Sequence, residues 1–337
     1  MQTQMNQLVA EVSSGQKANP EAALGTSAAL LYQLQSQSDQ QTALQSSITV
    51  ASQRLDTAQT ALTSLASTVQ TITTASQGIG AGDSAGIAPL ASQATSTIQQ
   101  VLALLNTGYL GTGVFGGDSG SSQPMQPADG SGGMSSITQN ILSAAVAAKG
   151  GPLTASDISS LIDGPNGLSS VFNDTNSDPA KNYSSAIYSG STNGQPTSVI
   201  IGANQTVKYD SSANQPAFRD LLKGLSMLSM LSAPSTQLDS SAQTQLLSQA
   251  SSVLSNAQNE ITNLQGSLGG VQSSLSAASA AQTAAAAATQ AQIASYVQAN
   301  TYADSTQLTQ LQTQLQATYS LTSQISQLSL VHFMPPA

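Results

Sequence analysis

Much of what enzyme sites are built from is scarce in this chain. There is no cysteine among its 337 residues, which removes disulfides and thiolate metal ligands together. There is no tryptophan, aromatic residues make up 4%, and charged residues make up 7%, against roughly 25% in ordinary soluble domains. The single histidine, His332, stands almost at the C-terminus. A histidine-based catalytic triad or metal site therefore has almost nothing to draw on. Lysine plus arginine number seven against sixteen aspartates and glutamates, for a net charge of −9. The seven are scattered from Lys17 to Lys223. Nucleic acid needs clustered cations to neutralise its phosphates, so it is excluded as a partner. An anionic membrane surface is disfavoured for the same reason. No apolar run of about 18 residues occurs, so no membrane insertion is expected. The opening MQTQMNQLVAEV lacks the basic region and apolar core of a secretory signal, and no cleaved leader is expected.

What the chain does have is glutamine, serine, threonine and asparagine, with alanine and leucine supplying most of a 39% hydrophobic content. Alanine and leucine are strong helix formers. Long helices with thin apolar seams follow, rather than one thick core. From Gln41, the positions Leu44, Ile48, Ala51, Leu55, Ala58, Leu62, Leu65, Val69 and Ile72 alternate in steps of four and three. That is an a/d seam of just over four heptads, about 48 Å of helix. Upstream, Asn19 can cap a helix, Pro20 suits its first turn and Glu21 faces its positive end. A second seam runs through Leu254, Ala257, Ile261, Leu264, Leu268, Val271, Leu275 and Ala278, then enters the Ala-rich SAASAAQTAAAAATQAQ. Gly266, Gly269 and Gly270 interrupt it and mark a soft point, at roughly 1 kcal/mol each against alanine. A third section, Leu308, Leu311, Leu315, Thr318, Thr322 and Ile325, keeps the same steps with polar residues at core positions. It suits a crowded assembly in which other chains supply the partners. Leu328 and Leu330 extend it, beside His332 and Phe333, which read as core or interface packing.

Between the ends the pattern changes. GIGAGDSAG (78–86) breaks the first long helix, and another follows from about Ala88 to Asn106. The region 118–215 holds most of the prolines and mixed patterning. SSITQNILSAAVAAK and TASDISSLI read as short helices; AIYSG and TSVIIGANQTVKYD read as strands, the latter turning at 202–204. QPAFRDLLKGLSML opens a helix again. The expected fold is mainly α: long antiparallel coiled-coil helices from both termini with a smaller central α+β domain. Its segments are an N-terminal helical segment 1–117, a central domain 118–215 and a C-terminal helical segment 216–337.

Two enzyme signatures can be read in GYLGTGVFGGDSG (108–120), and neither fits. Gly111, Gly113 and Gly116 match G-x-G-x-x-G, but a dinucleotide site needs a strand before them and a helix after. Here a helical stretch precedes and DSGSSQPMQP follows. Gly117–Gly120 matches the GDSG around a serine-protease nucleophile, but Ser119 has no upstream histidine to take its proton. Asp157, Asp163, Asp174 and Asp178 lack calcium-loop spacing and read as turn residues. Tyr183, Tyr188 and Tyr209 read as packing. No catalytic residue, cofactor or metal is expected.

The two ends, taken together, resemble the bacterial flagellin superfamily, and more closely its hook-associated, hook–filament junction branch. LVAEVSSGQKANPEAALGTSAAL is similar to the family's helix–loop–helix opening, with Ser14, Gly15 and Lys17 on the loop and Pro20 near its proline; the family's acidic cluster there is missing. LLNTGYLGTGVFGGD resembles the family's Asn…Tyr-Leu-Phe-x-Gly turn, with Asn106, Phe115, Gly116 and Gly117 aligned. LGGVQSSL and the closing SYVQANTYADSTQLTQLQTQLQATYSLTSQISQLSLVHFM are similar to the C-terminal helices. The ending ISQLSLVHFM and the stretch YSGSTNGQPTSVIIG…YD…AFRDLL look more like the junction branch than a filament flagellin. Relatives carry further residues before the position of Met1, so either the start is internal or the inner helix is short.

The resemblance implies a non-enzymatic structural subunit that joins hook to filament and assembles with copies of itself in a ring or helix. The expected partners are the other hook-associated protein, flagellin and a flagellar export chaperone. The expected location is the flagellum outside the cell, reached through the flagellar export apparatus. A filament flagellin is the first alternative, and an NAD-dependent enzyme using Gly111–Gly116 as a phosphate loop is the second. The outermost segments, about 1–20 and 295–337, are expected to order only on assembly.

Overall fold

The computed structural model describes residues 1–80, 83–130 and 132–332, with the side chains of Ser84 and of residues 327–332 left aside. In chain order the helices are α1 (Gln2–Ser14), α2 (Pro20–Leu24), α3 (Ala28–Gln77), α4 (Ser84–Leu105), α5 (Met134–Lys149), α6 (Ala155–Asp163), α7 (Leu168–Phe172), α8 (Pro216–Met230), α9 (Ser240–Val297) and α10 (Thr301–His332). Two small antiparallel hairpins are β1 (Gly108–Tyr109) with β2 (Thr112–Gly113), and β3 (Thr197–Gly202) with β4 (Gln205–Tyr209). The fold is mainly α, with long helices from both ends and few short strands. Two compact units partition it: residues 1–45 with 280–337, and residues 46–279.

In the larger unit, α3 and α9 run antiparallel, since Asp56, Thr63 and Gln70 meet Gln272, Gln265 and Gln258 in descending order. The α4–α8 pair packs beside them. It buries Ile98, Val101 and Leu105 with Leu221, Leu225 and Leu228 in the common core. Asp83 accepts from the Gly86 amide and so starts α4 one turn earlier than expected, with Pro89 near its beginning. Thr154 and Asp157 close a capping box on α6.

Local chemistry departs from the expected pattern at three places. AIYSG is not a strand: residues Tyr183–Ile187 wind into a short π-helix, and only Tyr188 pairs in extended form, with Met125. Burial decides it, because Tyr183, Ile187 and Tyr188 must all point inward, and an alternating strand could not bury them all. The α9 helix runs unbroken through Gly266, Gly269 and Gly270, so Leu268, buried among them, and Leu275, buried just beyond, outweigh the glycine penalty. Asn19 occupies the cap position of α2 without making a side-chain cap bond, and the Glu21 carboxylate accepts from the Tyr32 hydroxyl instead.

Candidate assembly helices and the helix-to-hairpin turn

The a/d positions of α3 lie on one face. Ile48, Leu55, Leu62, Leu65 and Val69 are all buried in the core of the larger unit, at the spacing that places them one above another on a helix. On α9, Ile261 and Leu268 are buried and Leu264 is half-buried against the same core. The polar residues beside the seam do not stay idle. Gln59 donates to the Gln265 carbonyl at 2.8 Å, Gln272 donates to the Asp56 carboxylate at 2.7 Å, and Ser251 bonds Ser76 at 3.1 Å. Gln258 bonds Gln70, and Gln265 reaches Thr63 at 3.5 Å. Amides and hydroxyls, joined by the one carboxylate of Asp56, thus span α3 and α9 where many coiled coils use ion pairs.

The turn after α4 is held from three directions. The Asn106 carboxamide takes both backbone groups of Met125, donating to its carbonyl at 3.0 Å and accepting from its amide at 2.8 Å. Phe115 is buried edge-on against Phe218 of α8, with ring centres 5.6 Å apart. Its carbonyl accepts from the Ala213 amide at 2.8 Å. The Gly116 carbonyl accepts from Ser191 N at 3.0 Å. Gly117 has a left-handed φ of 67°, and a Cβ there would meet Ser191 Cβ at 3.1 Å, so glycine answers both the turn and the close approach.

Two arginines that sequence reasoning passed over act here, Arg54 on the turn itself and Arg219 on the residues packed behind it. Arg54 leaves the side of α3 and donates to the carbonyls of Gly113 at 3.1 Å and Gly117 at 3.3 Å. Arg219 of α8 pairs with Asp174 at 2.7 Å, donates to the Phe172 carbonyl and lies over the Tyr183 ring at 4.5 Å. The Tyr183 hydroxyl donates to the Ala213 carbonyl at 2.7 Å. Burial raises its pKa strongly, and burial also pushes Tyr188 up to about 12. Both phenols are packing groups that stay neutral. The signal for Arg54 was available: a lone cation at a helix position next to a seam, in a chain this poor in charge, needs a reason.

The catalytic readings have no geometry behind them. Ser119 donates its hydroxyl to the Gly116 carbonyl at 2.8 Å and accepts from the Ser121 amide, acting as a turn-former. Gly111 and Gly113 lie in the β1–β2 hairpin after α4 and Gly116 stands just past it, so the strand-then-helix setting a dinucleotide site requires is not there. Asp157 is a capping residue paired with Lys149, Asp163 accepts from Ser169, Asp174 holds Arg219 and Asp178 starts a 3-10 turn. Among the described residues no group of three or more His, Cys, Asp or Glu side chains could hold a metal. Nor, among them, is any helix long and apolar enough to cross a membrane.

In the smaller unit the two chain ends are stitched together. Lys17 N donates to the Val297 carbonyl at 2.8 Å, Ala299 N donates to the Gly15 carbonyl at 3.0 Å, and Lys17 Nζ reaches the Tyr296 carbonyl at 3.0 Å. The last carbonyls of α9 thereby gain a backbone partner and a cation, both of which suit a helix C-terminus. Beyond this stitch α1 packs against α10, yet Leu8 is the only buried residue of α1. Leu44 of α3 is half-buried, as are Leu308, Leu311 and Leu315 of α10, while Ile325 is exposed. No described side chain of α10 is fully buried, and Tyr302 is 85% exposed. The side chains of Leu328, Leu330 and His332, and Phe333 as a whole, lie outside the described residues.

Comparison with known families places both ends of the chain. Residues 1–119 match the bacterial flagellin N-terminal helical region, and residues 251–334 match the bacterial flagellin C-terminal helical region. No curated protein matches the sequence.

Proposed function

Because the chain belongs to the bacterial flagellin superfamily and is a flagellar structural subunit, we propose that it serves at the joint between hook and filament, as hook-associated protein 3 does. It assembles there with copies of itself and contacts the other hook-associated protein on one side and flagellin on the other. It reaches the cell exterior through the flagellar export apparatus, accompanied by a chaperone that engages its C-terminal region. The segments 1–117 and 216–337 form the assembling core, and 118–215 forms a domain that decorates it.

The observation that carries the assembly reading is the thinness of the smaller unit. An α10 of 32 residues with no fully buried side chain among those described gains little from packing within its own chain, whereas most helical stability in proteins comes from packing an amphipathic face. Tyr302, Tyr319, Leu321 and Ile325 all stay exposed. Neighbouring subunits would cover them, at about 25 cal/mol per Å² of apolar surface removed from water. The joint reading, as against a filament flagellin, rests on the similarity of ISQLSLVHFM and of the 188–222 stretch to the junction branch. Deleting the gene tests it: intact hooks with flagellin shed into the medium are expected. Loss of the filament protein itself, or long filaments grown from the purified chain alone, would make it a flagellin.

A further inference from the structure

We infer that Asn193, in the loop before β3, is a site at which the chain modifies itself: the side-chain amide is lost to the backbone nitrogen of Gly194, which leaves a carboxylate against Asp118. The step needs no enzyme and no partner chain. Asn-Gly occurs twice in the sequence, at 166–167 and 193–194. Glycine has no Cβ to shield its nitrogen, so both pairs invite attack by that nitrogen on the asparagine Cγ. The fold treats them differently. At the first, Gly167 is buried and its amide donates to the Gly164 carbonyl at 2.9 Å. The Asn166 side chain is turned to Ser177, whose hydroxyl donates to its Oδ1 at 2.7 Å. Nitrogen and side chain are both engaged elsewhere.

At the second pair, residues 192–195 are exposed, and among the described residues nothing accepts from the Gly194 amide. The Gln195 amide donates to Asn193 Oδ1 at 3.0 Å, a turn that folds the side chain back over the peptide that follows it. The Ser191 hydroxyl donates to the same oxygen at 2.7 Å. Two donors on one carbonyl oxygen stabilise the negative charge it gains when its carbon is attacked, and the turn keeps the reacting groups close. The atoms balance with water alone. Hydroxide takes the Gly194 proton, the nitrogen bonds to Asn193 Cγ, and the Cγ–Nδ2 bond breaks as ammonia departs with a proton from water. Water then opens the five-membered imide at either carbonyl, giving aspartate or isoaspartate. Before the step, Asn193 Nδ2 donates to the Asp118 carboxylate at 3.0 Å. After it that donor is gone and a second carboxylate faces the first, which repels it. The loop is pushed off Asp118 beside the point where Ser191 N donates to the Gly116 carbonyl at 3.0 Å. The change runs one way, so negative charge accumulates with the age of each copy.

The purified full-length chain would be held in warm, mildly alkaline buffer and, in parallel, in the same buffer with urea, and amide loss followed by peptide mapping with mass spectrometry. In the folded chain Asn193 is expected to convert roughly tenfold or more faster than Asn166, and in urea the two rates should converge. Equal rates in the folded chain, an Asn193 that stays intact there, or the same ratio in urea as in buffer overturns the inference. Asn193→Asp, standing in for one product, is the second arm. It is expected to quicken hydrogen exchange of the Ser191 amide several-fold while amides of α4 and α8 keep their protection. A Ser191 amide that exchanges as in the wild type overturns the release of the loop. The hook–filament reading is tested separately, by the gene deletion, and stands under either result.

Discussion

Removing the Arg54 guanidinium with Arg54→Met tests whether the helix-to-hairpin turn is held from α3. Each of its two bonds to a carbonyl is charge-assisted, and such bonds contribute about 1.5–3 kcal/mol. At 3.1 and 3.3 Å they are longer than the 2.7–2.9 Å of strong charge-assisted pairs. The low end applies, giving about 3 kcal/mol for the two. Against this, Arg54 Nε is buried without a partner, and the substitution relieves that cost of about 1–2 kcal/mol. The net loss is about 1–2 kcal/mol. For a unit of this size it lowers the melting temperature by about 2–8 °C. The assay is circular dichroism melting, with amide hydrogen exchange read at Val114, whose N–H donates to the Thr107 carbonyl, and at Ala213. Exchange there should quicken while amides in α5 and α6 keep their protection. A variant with unchanged melting and unchanged exchange at Val114 would refute the idea that Arg54 clamps the turn.

Limited proteolysis of the free chain should cut first within 15–19, 298–300 and the terminal helices, leaving a resistant fragment containing residues 46–279; first cuts inside α5 or α8 would contradict this. Leu62→Ala, at a fully buried seam position, should cost about 2–5 kcal/mol by urea denaturation, and a loss under 1 kcal/mol would mean the seam does not pack as described. The Asp157 carboxyl is held down to about 2, first by the Lys149 ammonium and then by the Thr154 amide and hydroxyl. A carboxylate lowered in the fold gives stability that is complete above its unfolded value of about 4 and is lost as pH falls toward 2. Asp157→Asn should therefore flatten the pH dependence of melting between 4 and 2 and leave its slope above pH 5 unchanged; an unaltered acid limb would show that the capping box is not what titrates. Gly224→Ala puts a Cβ 2.8 Å from Leu254 Cγ. The gain in helix propensity of about 1 kcal/mol should be offset or exceeded by overpacking, so a melting temperature raised by several degrees would refute the close α8–α9 approach.

The long helices were readable because their signal is repeated. Leu55, Leu62 and Val69 recur at heptad spacing, and nine such positions agreeing leave little freedom about which face turns inward. The β3–β4 hairpin announced itself through TSVII and TVKY around a turn. What did not show was anything decided by a single contact across the chain. The π-helical turn at Tyr183–Ile187 depends on three side chains finding one core. Arg54 reaches carbonyls some sixty residues away, a pairing no local pattern encodes. The three glycines of α9 carry a local penalty that long-range burial of Leu268 and Leu275 overrides. On the turn itself, Asn106, Phe115, Gly116 and Gly117 could be named from sequence, but the groups that clasp them could not.

The amide and hydroxyl bonds that tie α3 to α9 have a consequence for where such an object can work. Among the described residues the ion pairs lie elsewhere, from Lys149–Asp157 to Lys223–Asp220, and none spans these two helices. Dissolved ions weaken attraction between charges: the screening distance shrinks from about 30 Å at 0.01 M to about 3 Å at 1 M. Bonds between neutral groups, as all those named across these helices are except Gln272 to the Asp56 carboxylate, are spared that loss. Helices lashed mostly in this way keep their grip in fresh water and in brine alike, an advantage for a flagellar part that meets whatever medium surrounds the cell.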